Sequence, residues 1–169
     1  MIQQDPNNFW EQLERLEKLI RSSELKAGII FSFHSLILGL FVERLDYFNE
    51  VFHGNYIFLI LVSLWVAFVL ISIFFAFKCF MPRMELKFRK NVFFFRDAAT
   101  SYGDIDEYSK KLTEICTDED ELFTQLSHQI FIESTIIDQK FKSVQKSIKY
   151  FAISFIFIVL IIGFLIINL

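Results

Sequence analysis

The 169-residue chain predicts an all-α integral membrane protein: three transmembrane helices with a cytoplasmic helical hairpin, the last helix continuous into the third span. Three observations predict this fold class. Apolar residues make up 54% of the chain, and Phe alone occurs 23 times. Two runs carry no charge over a length that matches a bilayer, and the basic residues gather on alternate flanks of the apolar runs.

Residues 1–26 read as a cytoplasmic N-terminal amphipathic helix. Asp5-Pro6 is a start signal, and Phe9, Leu13, Leu16, Leu19 and Ile20 share one stripe with charged residues opposite. Residues 56–77, "YIFLILVSLWVAFVLISIFFAF", contain 22 residues and no charge; residues 150–169 contain 20 and no charge. A hydrocarbon core about 30 Å thick takes about 20 helical residues at about 1.5 Å each, so these runs are the second and third spans. Residues 27–42 contain only 16, about 24 Å of helix, and length alone leaves them open.

Charge placement assigns them as the first span. The arm carries Arg15, Lys18, Arg21 and Lys26, whereas the connector at 43–55 carries only Arg44 among Glu43, Asp46 and Glu50. Residues 78–149 carry the remaining twelve basic residues, with Lys78, Arg83, Lys87, Arg89 and Lys90 near one membrane edge and Lys140, Lys142, Lys146 and Lys149 near the other. The positive-inside rule then puts the arm and residues 78–149 in the cytoplasm and the connector outside. Three crossings follow, with the N-terminus cytoplasmic and the C-terminus external. No positively charged segment with a small-residue cleavage site begins the sequence, so no processing is expected.

Within 78–149, a cytoplasmic helical sensing region, Met81-Pro82 ends the second span and Gly54-Asn55 breaks the connector before it. Phe93, Phe94 and Phe95 suggest a short extended piece, and Tyr102-Gly103-Asp104 a turn before a helix. Asp118 with Glu121 forms a capping-box pattern. Leu122, Leu126, Ile130, Ile137, Phe141, Val144 and Ile148 then recur at helical steps without a breaker into the third span.

Several function classes find no support. There is no Gly-rich phosphate loop, no HExxH and no nucleophile elbow, so the chain does not read as an enzyme. Cys79 and Cys116 lack ligand spacing and read as reduced packing residues, and neither a metal nor a cofactor is expected. Net charge is −3, which points to no DNA or RNA partner. The second span offers only Ser63 and Ser72, and the third Ser154, Gly163 and Asn168, too few polar groups for a fixed monomeric pore. On the first span, Gly28, Ser32, Ser35 and Gly39 fall on one helical stripe with Glu24 at its cytoplasmic edge. Small residues let helices approach closely in lipid. That stripe is expected to pack on the second or third span, or on a second copy in a homo-oligomer. His34 lies off the stripe near mid-membrane, as a packed neutral imidazole or as a group carrying protons or ions.

Three stretches taken in order have a family likeness: "ELKAGIIFSFHSLILGL" (24–40), "FFFRDAATSYGDIDEYSKKL" (93–112) and "LSHQIFIESTIIDQKFKSV" (126–144). The chain resembles the small transmembrane effectors of bacterial Pycsar anti-phage systems, in the form that consists of the effector region alone. Glu24 stands where that family is expected to carry Asp, which keeps a carboxylate. The resemblance implies a multi-pass protein of the bacterial inner membrane, functionally linked to a nucleotide cyclase. It would bind a cyclic pyrimidine mononucleotide (cUMP or cCMP) in the cytoplasm, then act on membrane lipid and impair membrane integrity, giving abortive infection. A phosphate monoanion wants Lys or Arg and a pyrimidine wants an aromatic face with amide or hydroxyl partners. The residues that would serve are Glu24, Lys26, Phe94, Phe95, Gln129, Ser134 and Lys140. The alternative class is a passive membrane subunit that holds a soluble partner through its cytosolic hairpin, with no ligand.

Overall fold

The computed structural model describes residues 5–45, 55–81 and 89–167. Five helices occur in them: α1 (Pro6–Glu43), α2 (Tyr56–Phe80), α3 (Phe95–Thr100), α4 (Ile105–Thr117) and α5 (Glu119–Ile167), with no strand among the described residues. α1, α2 and α5 are each long and apolar enough to cross a membrane, so the chain is a multi-pass membrane protein. Most of the connector predicted at 43–55, including Asp46, Glu50 and Gly54, lies outside the described residues, as do Pro82, Arg83, Lys87 and Asn168.

Local chemistry sets the helix starts. Asp5 Oδ1 accepts the Asn7 N–H at 2.9 Å, with Pro6 in the first helical position, where its missing N–H costs nothing. Asn55 Oδ1 accepts from Ile57 N at 3.1 Å to open α2. Asp104 Oδ1 accepts from Glu107 N at 2.8 Å, and the Glu107 carboxylate accepts from Gly103 N at 2.7 Å, so α4 is capped from both sides. Asp118 Oδ1 accepts from Glu121 N at 3.1 Å, as the capping pattern predicts. No Gly-driven break or Pro interrupts α5, which continues for 49 residues.

The chain forms two compact units, one of Met1–Arg21 with Arg83–Asp138 and one of Ser22–Pro82 with Gln139–Leu169. The second, the membrane unit, holds the three apolar segments. On α2 the buried residues are Phe58, Val62, Trp65, Val69, Ser72, Ala76 and Cys79, in alternating steps of four and three. That is the heptad period of left-handed helix packing rather than the 3.6 of a straight helix. α5 keeps the same beat, burying Lys140, Ser147, Ser154 and Ile161 at intervals of seven. Trp65, Val69, Phe58, Val62 and Ile161 make one apolar cluster; Ala27, Ala76, Cys79 and Val144 make a second, where small side chains let the helices close up. Ser72 Oγ donates to Ser147 O and Ser147 Oγ donates to Ser72 O, both at 2.9 Å. Each such interhelical bond contributes only about 0.6 kcal/mol. The larger effect is that neither hydroxyl is left unpaired in an apolar interior.

The first unit, here called the polar unit, packs the arm of α1 beside α5: Phe9 and Phe123 meet at 5.2 Å between ring centroids, and Trp10 meets Phe93 edge-on at 5.4 Å. Its core includes Leu13, Leu16, Val92, Ile115, Leu126 and Ile132. The extended piece predicted at Phe93–Phe95 is not formed; residues 92 and 93 are a turn and Phe95 opens α3. Asn91 explains the difference. Its Oδ1 accepts from Phe93 N at 2.8 Å, which closes a turn, while its Nδ2 donates to Gln125 O at 2.7 Å and its own N–H donates to Asp97 Oδ2 at 2.9 Å.

Asn91→Ala removes the acceptor of the Phe93 N–H and the tie to α5, and should destabilise the protein by about 1–3 kcal/mol in detergent unfolding. Asn91→Asp, nearly the same shape, should do no better, because a carboxylate there faces the Gln125 carbonyl and Asp97.

Candidate functional site

One polar cluster lies among the apolar helices of the membrane unit. Lys140 falls on the buried seam of α5, one heptad before Ser147, so its side chain must find partners inside the unit. Its Nζ lies 2.6 Å from Glu24 Oε1 of α1 and donates to Cys79 O of α2 at 2.9 Å. Cys79 stands in the last turn of α2, where helix carbonyls lack intrahelical partners and the macrodipole is negative. One ammonium thus joins three helices. The Lys140 side chain is 5% exposed against 38% for Glu24, so the pair is dry at the lysine and wet at the carboxylate. Lys140 Nζ is thus engaged by two acceptors of its own unit. Lys26 is exposed, with Nζ 5.8 Å from the Phe141 ring centroid.

The small-residue stripe behaves differently from the expectation that it packs on the chain's own spans. Ser32, Ser35 and Gly39 are exposed, the two hydroxyls donating to Gly28 O and Phe31 O of their own helix. Only Gly28 comes near a neighbour: a Cβ there would stand 3.9 Å from the Phe80 ring, and none would be met at Gly39. Gly28 and Ser32 line an open, mainly apolar groove of about 600 Å³ with Glu24 at its polar end. The packed face of α1 is instead Ser23, Ala27, Ile30 and His34, again in steps of four and three. The small-residue stripe lies one residue, about 100°, round the helix from that seam. His34 sits on the seam, 2% exposed and edge-on to Phe151 at 5.0 Å, with Nε2 buried and without a hydrogen-bond partner among the described residues.

Phe94, Phe95, Gln129 and Ser134 belong to the polar unit. Phe94 is buried, Phe95 is 67% exposed and Ser134 is half-buried. Gln129 is committed to α5 itself: its Nε2 donates to Glu133 Oε1 at 2.9 Å, leaving Oε1 buried without a partner. Burial pushes the Glu133 carboxyl above its ordinary value of 4.5; the Gln129 hydrogen bond opposes this and the Glu17 charge adds to it.

A cavity of the polar unit, of about 360 Å³, is lined by none of the seven residues read from the sequence. Its wall includes Lys90, Tyr102, Lys110, Lys111 and Gln125. Tyr102 is held by an edge-on contact with Tyr108, ring centroids 5.4 Å apart, and the Tyr108 hydroxyl donates to Val92 O at 3.2 Å. Burial, with the Asp97 charge second, raises the Tyr102 phenol above its ordinary value, so it stays protonated at neutral pH. Lys90 Nζ donates to Ser101 O at 3.3 Å. The sequence signal for this cavity was the Tyr102-Gly103-Asp104 turn followed by Lys110-Lys111 in the second turn of α4. What the sequence could not supply was Asn91 pinning the preceding loop to α5.

Two predictions follow from these geometries. Glu24→Gln leaves a dry ammonium without its counter-charge and should cost about 2–4 kcal/mol in detergent unfolding, whereas Lys140→Met leaves a carboxylate that water can reach and should cost about 1–2 kcal/mol. The double variant should be less destabilised than the sum of the two. For Glu133 the folded protein holds the proton more tightly than the unfolded chain. Its contribution is therefore most favourable below pH 4.5 and is lost as pH rises through the elevated folded value. Glu133→Gln should raise the melting temperature at neutral pH and flatten its decline across that window, in melts recorded from pH 4 upward.

A family model described as the Pycsar effector protein domain matches residues 8–167, which take in both units. No curated protein matches the chain significantly, and no solved structure does. A match across almost the full sequence, on three membrane-crossing helices and a polar unit built from the same long helices, makes the chain a member of the Pycsar effector family.

Proposed function

We propose that this Pycsar effector binds a cyclic pyrimidine mononucleotide, cUMP or cCMP, through its polar unit on the cytoplasmic side of the bacterial inner membrane, and then impairs membrane integrity. The observation that carries this is the family match over residues 8–167, which makes the polar unit an integral part of the effector and not an appendage. Charge placement supports a cytoplasmic N-terminus and an external C-terminus, since the connector side carries only Arg44 among the basic residues outside 78–149 and the arm. α1 and α5 each contribute residues to both units. The spans offer few polar groups, so damage requires assembly of several copies. The exposed Ser32, Ser35 and Gly39 supply small residues where helices of two copies approach closely.

Cells expressing the chain with a cyclase that makes cUMP or cCMP should lose membrane potential, read with a potential-sensitive dye, while the chain without cyclase, or cyclase alone, leaves it intact. Potential retained in the presence of both, with the protein present in the membrane fraction, overturns the reading. A passive subunit holding a soluble partner gives that second result.

A further inference from the structure

We infer that the ligand site of the polar unit is the cavity between residues 90–92, residues 101–102, α4 and α5, where Tyr102 takes the face of a nucleobase and Lys110 the phosphate of a nucleoside cyclic monophosphate. The inference rests on the proposed reading that this effector binds such a ligand.

Size is the first consideration. Small-molecule sites run from about 300 to 1,000 Å³, and the cavity, at about 360 Å³, stands at the small end. It suits one base, sugar and phosphate and is too small for a dinucleotide. Charge is the second. Three lysines, Lys90, Lys110 and Lys111, reach one wall within a unit that is otherwise rich in carboxylates. The carboxylates nearest them are already occupied: Glu107 caps Gly103 N, and Glu114 pairs with Lys111 at 3.1 Å. Lys90 is directed at the Ser101 carbonyl. Lys110 is left with no ion pair among the described residues, as the ammonium free to meet an anion.

Recognition of a base needs a flat ring and a directional partner. The edge-on packing of Tyr108 on Tyr102 fixes the Tyr102 ring, which lowers the entropy lost on stacking. Gln125 supplies the partner. Its Nε2 donates to Glu121 Oε1 at 2.9 Å, which fixes the amide orientation because the flipped form would set oxygen against carboxylate. Gln125 lines the cavity, and its side-chain oxygen is buried with no hydrogen-bond partner among the described residues. Buried polar atoms of this kind are rare and call for a partner. The N3–H of uracil or the amino group of cytosine is a donor of the right kind.

Titration calorimetry on the full-length protein in detergent, with cUMP, cCMP, cAMP and cGMP as titrants, tests the assignment. Lys110→Gln and Tyr102→Leu should each weaken binding of the pyrimidine nucleotide at least about tenfold, the loss expected for a charge-assisted hydrogen bond or a stacked base. Arg15→Gln, which removes an exposed charge from the same unit, should bind as the parent does. Lys110 is exposed and its replacement does not threaten folding, so Lys110→Gln remains decisive if Tyr102→Leu loosens the unit. Parent protein that binds a pyrimidine nucleotide while Lys110→Gln binds it equally well overturns this cavity and leaves the effector reading standing. Parent protein that binds none of the four nucleotides overturns both.

Discussion

Hydrocarbon offers no hydrogen bonds, so every polar group carried into it must be met by another part of the chain. Much of the membrane unit follows from that constraint. Ser72 and Ser147 exchange hydroxyl-to-carbonyl bonds across two helices, and Lys140 divides its ammonium between a side chain of α1 and a backbone carbonyl of α2. These contacts contribute modestly as attractions. Their weight lies in the cost of the alternatives, an unpaired hydroxyl or a bare ammonium in a dry seam. They fix rotation and axial register in a way that the surrounding Phe, Ile and Val side chains, which can slide past one another, do not.

The seam itself is regular. α2 and α5 bury residues at heptad intervals, and α1 does the same through Ser23, Ala27, Ile30 and His34. With that period, aromatic side chains fill the wider part of the unit and alanines the tighter part. The outward surface of the same helices is apolar, as at Leu36, Leu64, Phe74, Phe155 and Ile162, which lipid tails solvate without cost.

Much of this was legible in the amino-acid order. The second and third spans could be read because 22 and 20 uncharged residues exceed what a bilayer requires. The long last helix was legible because nothing in it breaks a helix, and the caps at Asp5, Asp104 and Asp118 were legible because their chemistry is local. The face of α1 was not. The small-residue stripe and the packed seam run side by side, one residue or about 100° apart, and only the partner helices decide between them. The three phenylalanines at 93–95 misled for a related reason. Their β preference is a weak prior, and a single asparagine with three hydrogen bonds overrode it. The cavity of the polar unit escaped detection because its wall is assembled from residues 35 positions apart, Lys90 to Gln125, joined only by tertiary contacts.

The shared ammonium of Lys140 also bears on how the protein is made. Glu24 emerges from the ribosome long before Lys140, and Cys79 between them, so the first two helices enter the bilayer with a carboxylate and a helix-end carbonyl still waiting for their common partner. Only the last helix can complete that arrangement. A nascent chain halted before it would leave the Glu24 carboxylate to water and would lack the contact that ties α1 to the end of α2.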